Sequence, residues 1–402
     1  MNHTISALIF GLIAVTLPCP ELLAGASSAS SVKAEPINPT PGPTESKTPI
    51  RQLRLERPLE FLPGAPKAAF TEFHLTILSA GKLYQMFILN DTDVARYFEP
   101  KSGVYTAKPL DGLPADIGLI KQFASGYGHI VFLTESNELY TWGQGSLGQL
   151  WRVPTIGADI EGRLYAPVTK LNLPIGEKIV AVYAGRAHSF FVTESRKFFA
   201  VGGRFWEYEA TNSALVELKA ARREDGVRIV EAGTNVTDQI VIRYEDGKVA
   251  VACDKERGEF AFAKGPPMKY LKLPSHAVDG EGKVYSLKRM DEDEKRWELS
   301  PTPEGEFAIG RGIDDASRLI DFHIRTYSVE VALFRGKDSF VIGEKHNPLH
   351  RHEKNVSESN MPHSLYSNWG SVLVHQRPDG TLMMQRYGNP APYPIQFTEA
   401  LR

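Results

Sequence analysis

Residues 124–150 read ASGYGHIVFLTESNELYTWGQGSLGQL, and their order is small-Gly turn, apolar strand, polar turn, aromatic strand, Gly-rich turn. A related stretch follows at 184–206, AGRAHSFFVTESRKFFAVGGRFW. His129 and His188 lie 59 residues apart, and so do Gly143 and Gly202. Two landmarks that keep one offset define a repeated structural unit.

Weaker copies are traced by the aromatic or apolar strand that precedes each Gly turn. Its first residue falls at Leu83, Leu139, Phe198, Val249, Val284, Ser339 and Leu382. The mean spacing is about 50 residues, the length of a four-stranded propeller blade. Seven anchors predict seven blades, or six if the copy at Val284 is false. Composition agrees: 34 Gly and 27 Pro punctuate short apolar runs such as Ile130–Leu133, Phe190–Val192, Ile240–Ile242, Val329–Leu333 and Ser371–Val374. Runs of this length suit strands and not helices. Because each blade buries its faces only against neighbours, the ring counts as one domain.

Ala124–Gly126, His129, Leu133–Thr134, Leu139, Trp142–Gly143 and Gly148–Leu150 resemble the repeat of the regulator of chromosome condensation family. The second copy keeps Ala184–Gly185, His188, Val192–Thr193 and Gly202, with Val201 where the family has Trp. The resemblance implies an all-β fold, a seven-bladed β-propeller, whose best-known members are nuclear nucleotide exchange factors. A secreted bacterial inhibitor of β-lactamases resembles the same repeat, which implies that the scaffold also works outside the nucleus by covering a partner.

The N-terminus differs in kind. Ile5–Leu17 is almost wholly apolar and is followed by Ala24-Gly25-Ala26. About 13 apolar residues fall short of the roughly 20 needed to span a bilayer, so residues 1–26 are expected to be a cleaved signal peptide rather than an anchor. The n-region MNHT carries no Lys or Arg, which dissents. Residues 27–52 are Ser-, Thr- and Pro-rich and predict a disordered linker. The propeller domain is expected over 53–402, with Leu59–Leu62 as a strand that pairs with the last blade to close the ring. These readings predict a secreted, extracytoplasmic monomer with no membrane contact after cleavage.

The net charge is −2. A chain so near neutrality lacks the basic footprint of a nucleic-acid binder, which argues against chromatin. Of two cysteines, Cys19 leaves with the signal and Cys253 remains, so no internal disulfide is expected. Asn90, Asn235 and Asn355 begin N-glycosylation sequons; Asn90 and Asn355 are the better candidates for a glycoprotein. Gly143–Gly148 formally satisfies Gly-x-Gly-x-x-Gly, yet Pro154 follows and no helical period does, so the glycines read as turn residues and no cofactor is expected. His346, His350 and His352 read as a solvated loop, not a metal site. His129 and His188 read as buried groups bonded to backbone. No paired acid–base motif appears, so no catalytic residue is assigned.

What remains is surface. The turns after the aromatic strands carry Trp151, Arg152, Arg204, Phe205, Trp206 and Tyr393, residue types that dominate protein–protein hot spots. The excursion from Val153 to Ala166 adds a long loop. The expected function is therefore non-catalytic binding of a protein partner through loops on one face. Two alternatives stay open: a propeller hydrolase or lyase with carboxylates at the channel mouth, and an intracellular nucleotide exchange or chromatin-associated factor.

Overall fold

The structure is a computed structural model. It describes residues 52–56, 66–71, 74–88, 103–145, 148–151, 159–160, 163–202, 215–235, 239–252, 259–290, 296–303, 318–324, 330–335, 339–344, 347–354, 356, 364–368, 372–386 and 392–398. Among these the regular structure is strand, apart from one 3-10 turn at Lys219–Ala221. No helix there is long and apolar enough to cross a membrane.

The strands form seven antiparallel meanders that follow one another along the chain and pack in that order. Their inner strands are Lys67–Phe70, His74–Ser79 pairing behind the first, then Ile120–Ser125, Ile179–Ala184, Ile229–Thr234, Met268–Lys272, Arg318–Ile324 and Ser364–Asn368 for blades 2 to 7. The third strands begin at Lys82, Leu139, Phe198, Val249, Val284, Ser339 and Leu382. Each expected anchor thus lies at or next to the start of a third strand, including Val284, so there are seven blades and not six. The Val153–Ala166 excursion is partly strand: Asp159–Ile160 pairs with Arg163–Leu171 and gives blade 2 a fifth strand.

Alternation on a strand explains the packing. Successive side chains point to opposite faces, and here both faces are buried by neighbouring blades. Ile130 and Phe132 join the cluster shared with blade 1, while Val131 and Leu133 join the cluster shared with blade 3. Phe190 and Val192 face blade 4, and Phe191 faces blade 2. Continuous apolar runs, rather than polar–apolar alternation, are the pattern such strands require.

Two devices recur around the ring. Inner strands of blades 2 to 6 each carry a bulge at the same place, after Ile120, Ile179, Ile229, Met268 and Leu319. The residue after the bulge then reaches the next blade where its side chain allows. Gln122 Nε2 donates to the Val182 carbonyl (2.7 Å), and Glu231 Oε2 accepts from the Leu271 amide (2.9 Å). The second device is the hairpin between second and third strands. Thr134 and Thr193 Oγ1 accept from the amides of Glu138 and Lys197, and Asp279 plays that part for Lys283.

Closure departs from expectation. Leu59–Leu62 lies outside the described residues. The ring closes where the outer strand of blade 7, Tyr393–Phe397, pairs in parallel with the outer strand of blade 1, Tyr105–Pro109. Blades 7 and 1 become one eight-stranded sheet folded over a shared core, and two exposed edges disappear. Residues 52–56 dock elsewhere, at the seam of blades 5 and 6.

Candidate protein-binding face

Strand direction fixes two faces. Tight hairpins between second and third strands, and the connections from blade to blade, lie on one. First-to-second and third-to-fourth connections emerge on the other, called here the loop face. Its third-to-fourth connections are longest in three consecutive blades, over 88–104, 145–162 and 203–215. In blades 5 and 6 the same connection covers only 290–296 and 345–346.

Beneath the loop face lies a course of buried polar side chains at one register position. His74, His129 and His188 open the second strands of blades 1, 2 and 3, and Gln239 stands there in blade 4. The carbonyls of His74, His129, His188 and Gln239 accept from the amides of Thr71, Gly126, Gly185 and Asn235 at 2.8–3.0 Å, which shows the equivalence. His129 Nε2–H donates to the His188 carbonyl (3.2 Å) and also faces Ser189 Oγ (3.1 Å). A carbonyl only accepts, so the proton sits on Nε2. Ser189 Oγ in turn donates to the Gln149 carbonyl (2.8 Å). These bonds tie the Gly148-Gln149-Leu150 turn of blade 2 to blade 3.

Burial holds these imidazoles neutral. His129 falls from 6.5 to about 4, lowered by burial and partly restored by its bond to His188. His74, enclosed by Phe87, Trp142 and Tyr165 at ring distances of 5.0–5.7 Å, also falls to about 4 through burial. His188 falls to about 3, through burial and then through repulsion from His129. These histidines are structural.

Gly143 and Gly202 pair with His129 and His188 and have φ of +111° and +90°. A Cβ at Gly143 would lie 2.5 Å from the Gly128 carbonyl oxygen, and at Gly202 the same distance from that of Ala187. Trp142 and Val201 occupy one position in successive repeats, and each packs toward the preceding blade. Valine suffices in blade 3.

At the centre of the loop face the first-to-second turns of blades 2 and 3 meet. The Tyr127 amide donates to the Arg186 carbonyl (2.9 Å), and the Arg186 guanidinium sits 5.7 Å from the Tyr127 ring centroid. The Arg186 amide donates to Thr234 Oγ1 of blade 4 (3.0 Å). Tyr127 and Arg186 were not among the expected site residues. Their signal was present, as an Arg and a Tyr at matching positions of the two clearest repeats. Phe87, ending the third strand of blade 1, is 43% exposed at the mouth of the 88–104 connection.

The expected site residues do not come together among the described residues. Trp151 is half-buried and packs into the core of blades 2 and 3, with φ of +56°, an uncommon backbone state for a bulky residue. Tyr393 lies in the outer strand of blade 7, half-buried with its ring 6.0 Å from that of Tyr105, and belongs to the closure rather than to a loop. Arg152, Arg204, Phe205 and Trp206 lie outside the described residues, as do Asn90, Asn355, Cys253 and His346. Asn235 is buried, and its side chain donates to Gln239 Oε1 and accepts from the Gln239 amide. His350 and His352 stand in the strand Asn347–Lys354, which corrects the loop reading. That strand is held by hairpin pairing with Ser339–Glu344, and the sheet context overrides local polarity. Among the described residues no group of three or more metal-ligating side chains gathers.

Two carboxylates of the inner strands are committed. Glu231 Oε2 accepts from Arg243 Nε and from the Leu271 amide, each at 2.9 Å; burial raises its pKa, against the pull of Arg243. Lys272 Nζ donates to buried Asp321 (2.6 Å), linking blades 5 and 6. Each of these carboxylates already has a structural partner.

Fold and sheet order define a seven-bladed β-propeller of repeats of about 50 residues. Residues 120–149, spanning the first three strands of blade 2, match the family described as Regulator of chromosome condensation (RCC1) repeat. Blade 2 thus carries a repeat of that family. The chain is 25% identical over 142 residues to the guanine nucleotide exchange factor SRM1 of Saccharomyces cerevisiae, covering 33% of this chain and 29% of that protein. It is 36% identical over 83 residues to the serine/threonine-protein kinase Nek9 of Mus musculus, covering 21% and 8%. The matches thus span less than a third of these relatives. Among solved structures, yeast RCC1 (Prp20) bound to Kap60 aligns at 16% identity over 86% of this chain and 85% of that chain, with a TM-score of 0.49. Human WBSCR16 aligns at 16% identity over 78% and 86%, with a TM-score of 0.47.

Proposed function

We propose that the chain is an exported, non-catalytic propeller that binds a protein partner through the loop face of blades 1 to 3. The carrying observation is that the three longest third-to-fourth connections belong to adjacent blades, around the fixed pair Tyr127–Arg186. Backbone strain at Trp151, where the 145–162 connection leaves the core, supports the same face, because such strain concentrates at functional segments. The sequences of these connections supply Arg152, Arg204, Phe205 and Trp206 as anchors. The solved relative named above was crystallised with Kap60, which supports protein binding as the mode. Export rests on residues 1–26, and the near-neutral charge favours it over a chromatin role.

The test is capture from the native host with the tagged full chain, beside a variant carrying Arg152→Glu, Arg204→Glu and Trp206→Ala. A partner held by the wild type and lost by the variant is expected, with the mature chain beginning near Ser27 by mass. Equal recovery by both would refute the assignment of this face, and an intact Met1 would refute export. A second reading, intracellular nucleotide exchange, draws on the match to SRM1. An intact N-terminus together with a recovered GTPase would favour it.

A further inference from the structure

We propose that the seam between blades 5 and 6 is a binding site for an extended Leu-x-Leu peptide, which the chain fills with its own residues 52–56. Blade 5 (Met268–Pro301) and blade 6 (Arg318–Lys354) each have four strands without this segment, so it completes no blade. It docks as an added strand. The Leu53 amide donates to the Thr302 carbonyl (2.8 Å), and the Val284 amide donates to the Leu53 carbonyl (3.0 Å). The Leu55 amide donates to Gly282 of blade 5 (2.8 Å), and the next amide, of Glu56, donates to Leu319 of blade 6 (2.7 Å).

Side chains alternate as strand addition demands, with main-chain bonds for affinity and pockets for alternate residues. Leu53 and Leu55 are 3% and 2% exposed within the core of the two blades, while Arg54 and Glu56 face solvent. Two other seams receive a comparable apolar plug from their own blade-to-blade connection: Leu113 and Ile117 between blades 1 and 2, Leu173 and Ile175 between blades 2 and 3. At the seam of blades 5 and 6 such a plug comes from a segment more than 200 residues away. The plug is therefore a ligand held by tether rather than by local sequence.

The test uses the full chain with Leu53→Asp and Leu55→Asp, melted with and without a synthetic peptide of residues 50–56, IRQLRLE. The variant should melt below the wild type. Millimolar peptide should restore the difference saturably, while a peptide carrying the same two Asp substitutions restores nothing. Wild-type protein should not respond, since its tethered segment has an effective concentration in the millimolar range. If the variant does not fold, wild-type protein cleaved at a protease site inserted after Arg57 replaces it, with the same two peptides. Unchanged melting in the variant or after cleavage, or equal effects of both peptides, would overturn the proposal. Because neither peptide touches the loop face, failure here leaves the partner-binding reading standing, and loss of the partner leaves this site standing.

Discussion

Acid should unfold this propeller earlier than carboxylate chemistry alone would dictate. His74 and His129 bind a proton in the folded chain only near pH 4, and His188 only near pH 3, against 6.5 when unfolded. The stabilisation they give is whole above pH 6.5 and is lost as pH falls from there toward 4, because only the unfolded chain takes up protons in that window. A group with these two values loses about 2 kcal/mol between pH 7 and pH 5. Three such groups lose roughly 6 kcal/mol, which is comparable to the net stability of many domains at 5–15 kcal/mol. Glu231 acts with the opposite sign, since its raised pKa lets the folded state keep a proton longer, and it offsets no more than one titrating group. The assay is urea unfolding followed by intrinsic fluorescence from pH 7.5 to 4.5. His129→Gln supplies the control, because Gln239 already occupies that register position in blade 4. The wild type should take up about three protons on unfolding near pH 5. The variant should be less stable at pH 7.5 yet lose about a third less between pH 7 and 5. A flat stability between pH 7 and 5, or an unchanged slope in the variant, would refute the assignment of buried neutral imidazoles.

Gly143→Ala should cost about 3 kcal/mol or more, since a left-handed backbone and a 2.5 Å approach to the Gly128 oxygen act together; calorimetry should show a lowered melting temperature, and Gly202→Ala should match it. Lys272→Met should destabilise by about 3–5 kcal/mol by leaving buried Asp321 without its cation, and adding Asp321→Leu should recover most of that, a double-mutant cycle read by urea titration. Gln122→Ala removes both bonds to Val182 and should cost about 1–2 kcal/mol by the same titration, with little change in far-UV circular dichroism. Arg186→Ala, on the loop face, should leave the melting temperature within a degree or two, about the effect of a small surface change, while weakening capture of the partner; unchanged capture would remove Arg186 from the interface.

The fold was legible because its repeating unit is defined by backbone necessity. Gly143 and Gly202 sit where a Cβ has no room, and each pairs with a histidine whose carbonyl closes the same turn. Those constraints fix residue type locally, so they survive as a 59-residue offset. Where a blade meets the same need with other chemistry, the signature fades but the apolar third strand stays, which is why anchors at Val249, Val284, Ser339 and Leu382 still locate blades 4 to 7. Closure was not legible. Parallel pairing of Ile395 with Tyr105 joins residues from opposite ends of the chain and imposes no local pattern on either.

The candidate face was legible only in part, for a related reason. Trp151 and Tyr393 were selected as hot-spot residue types near turns, yet an aromatic side chain beside a strand end has two outlets, the solvent or the seam between blades. Both residues here take the seam, in the core of blades 2 and 3 and in the closure of blades 7 and 1. Sequence around a turn does not say which, because the choice depends on the volume left by the neighbouring blade. The bulges decide similar questions inside the ring: an extra residue after Ile120 turns Gln122 toward blade 3, and one after Ile229 sets Glu231 against Leu271. Seams so consistently filled leave recognition to groups that no seam absorbs. Tyr127 and Arg186 stand half-buried on the loop face, and the turns that carry them are already fixed by backbone bonds between blades. A partner that docks there meets a site whose backbone is preorganised, and such a site saves part of the ordering cost of binding.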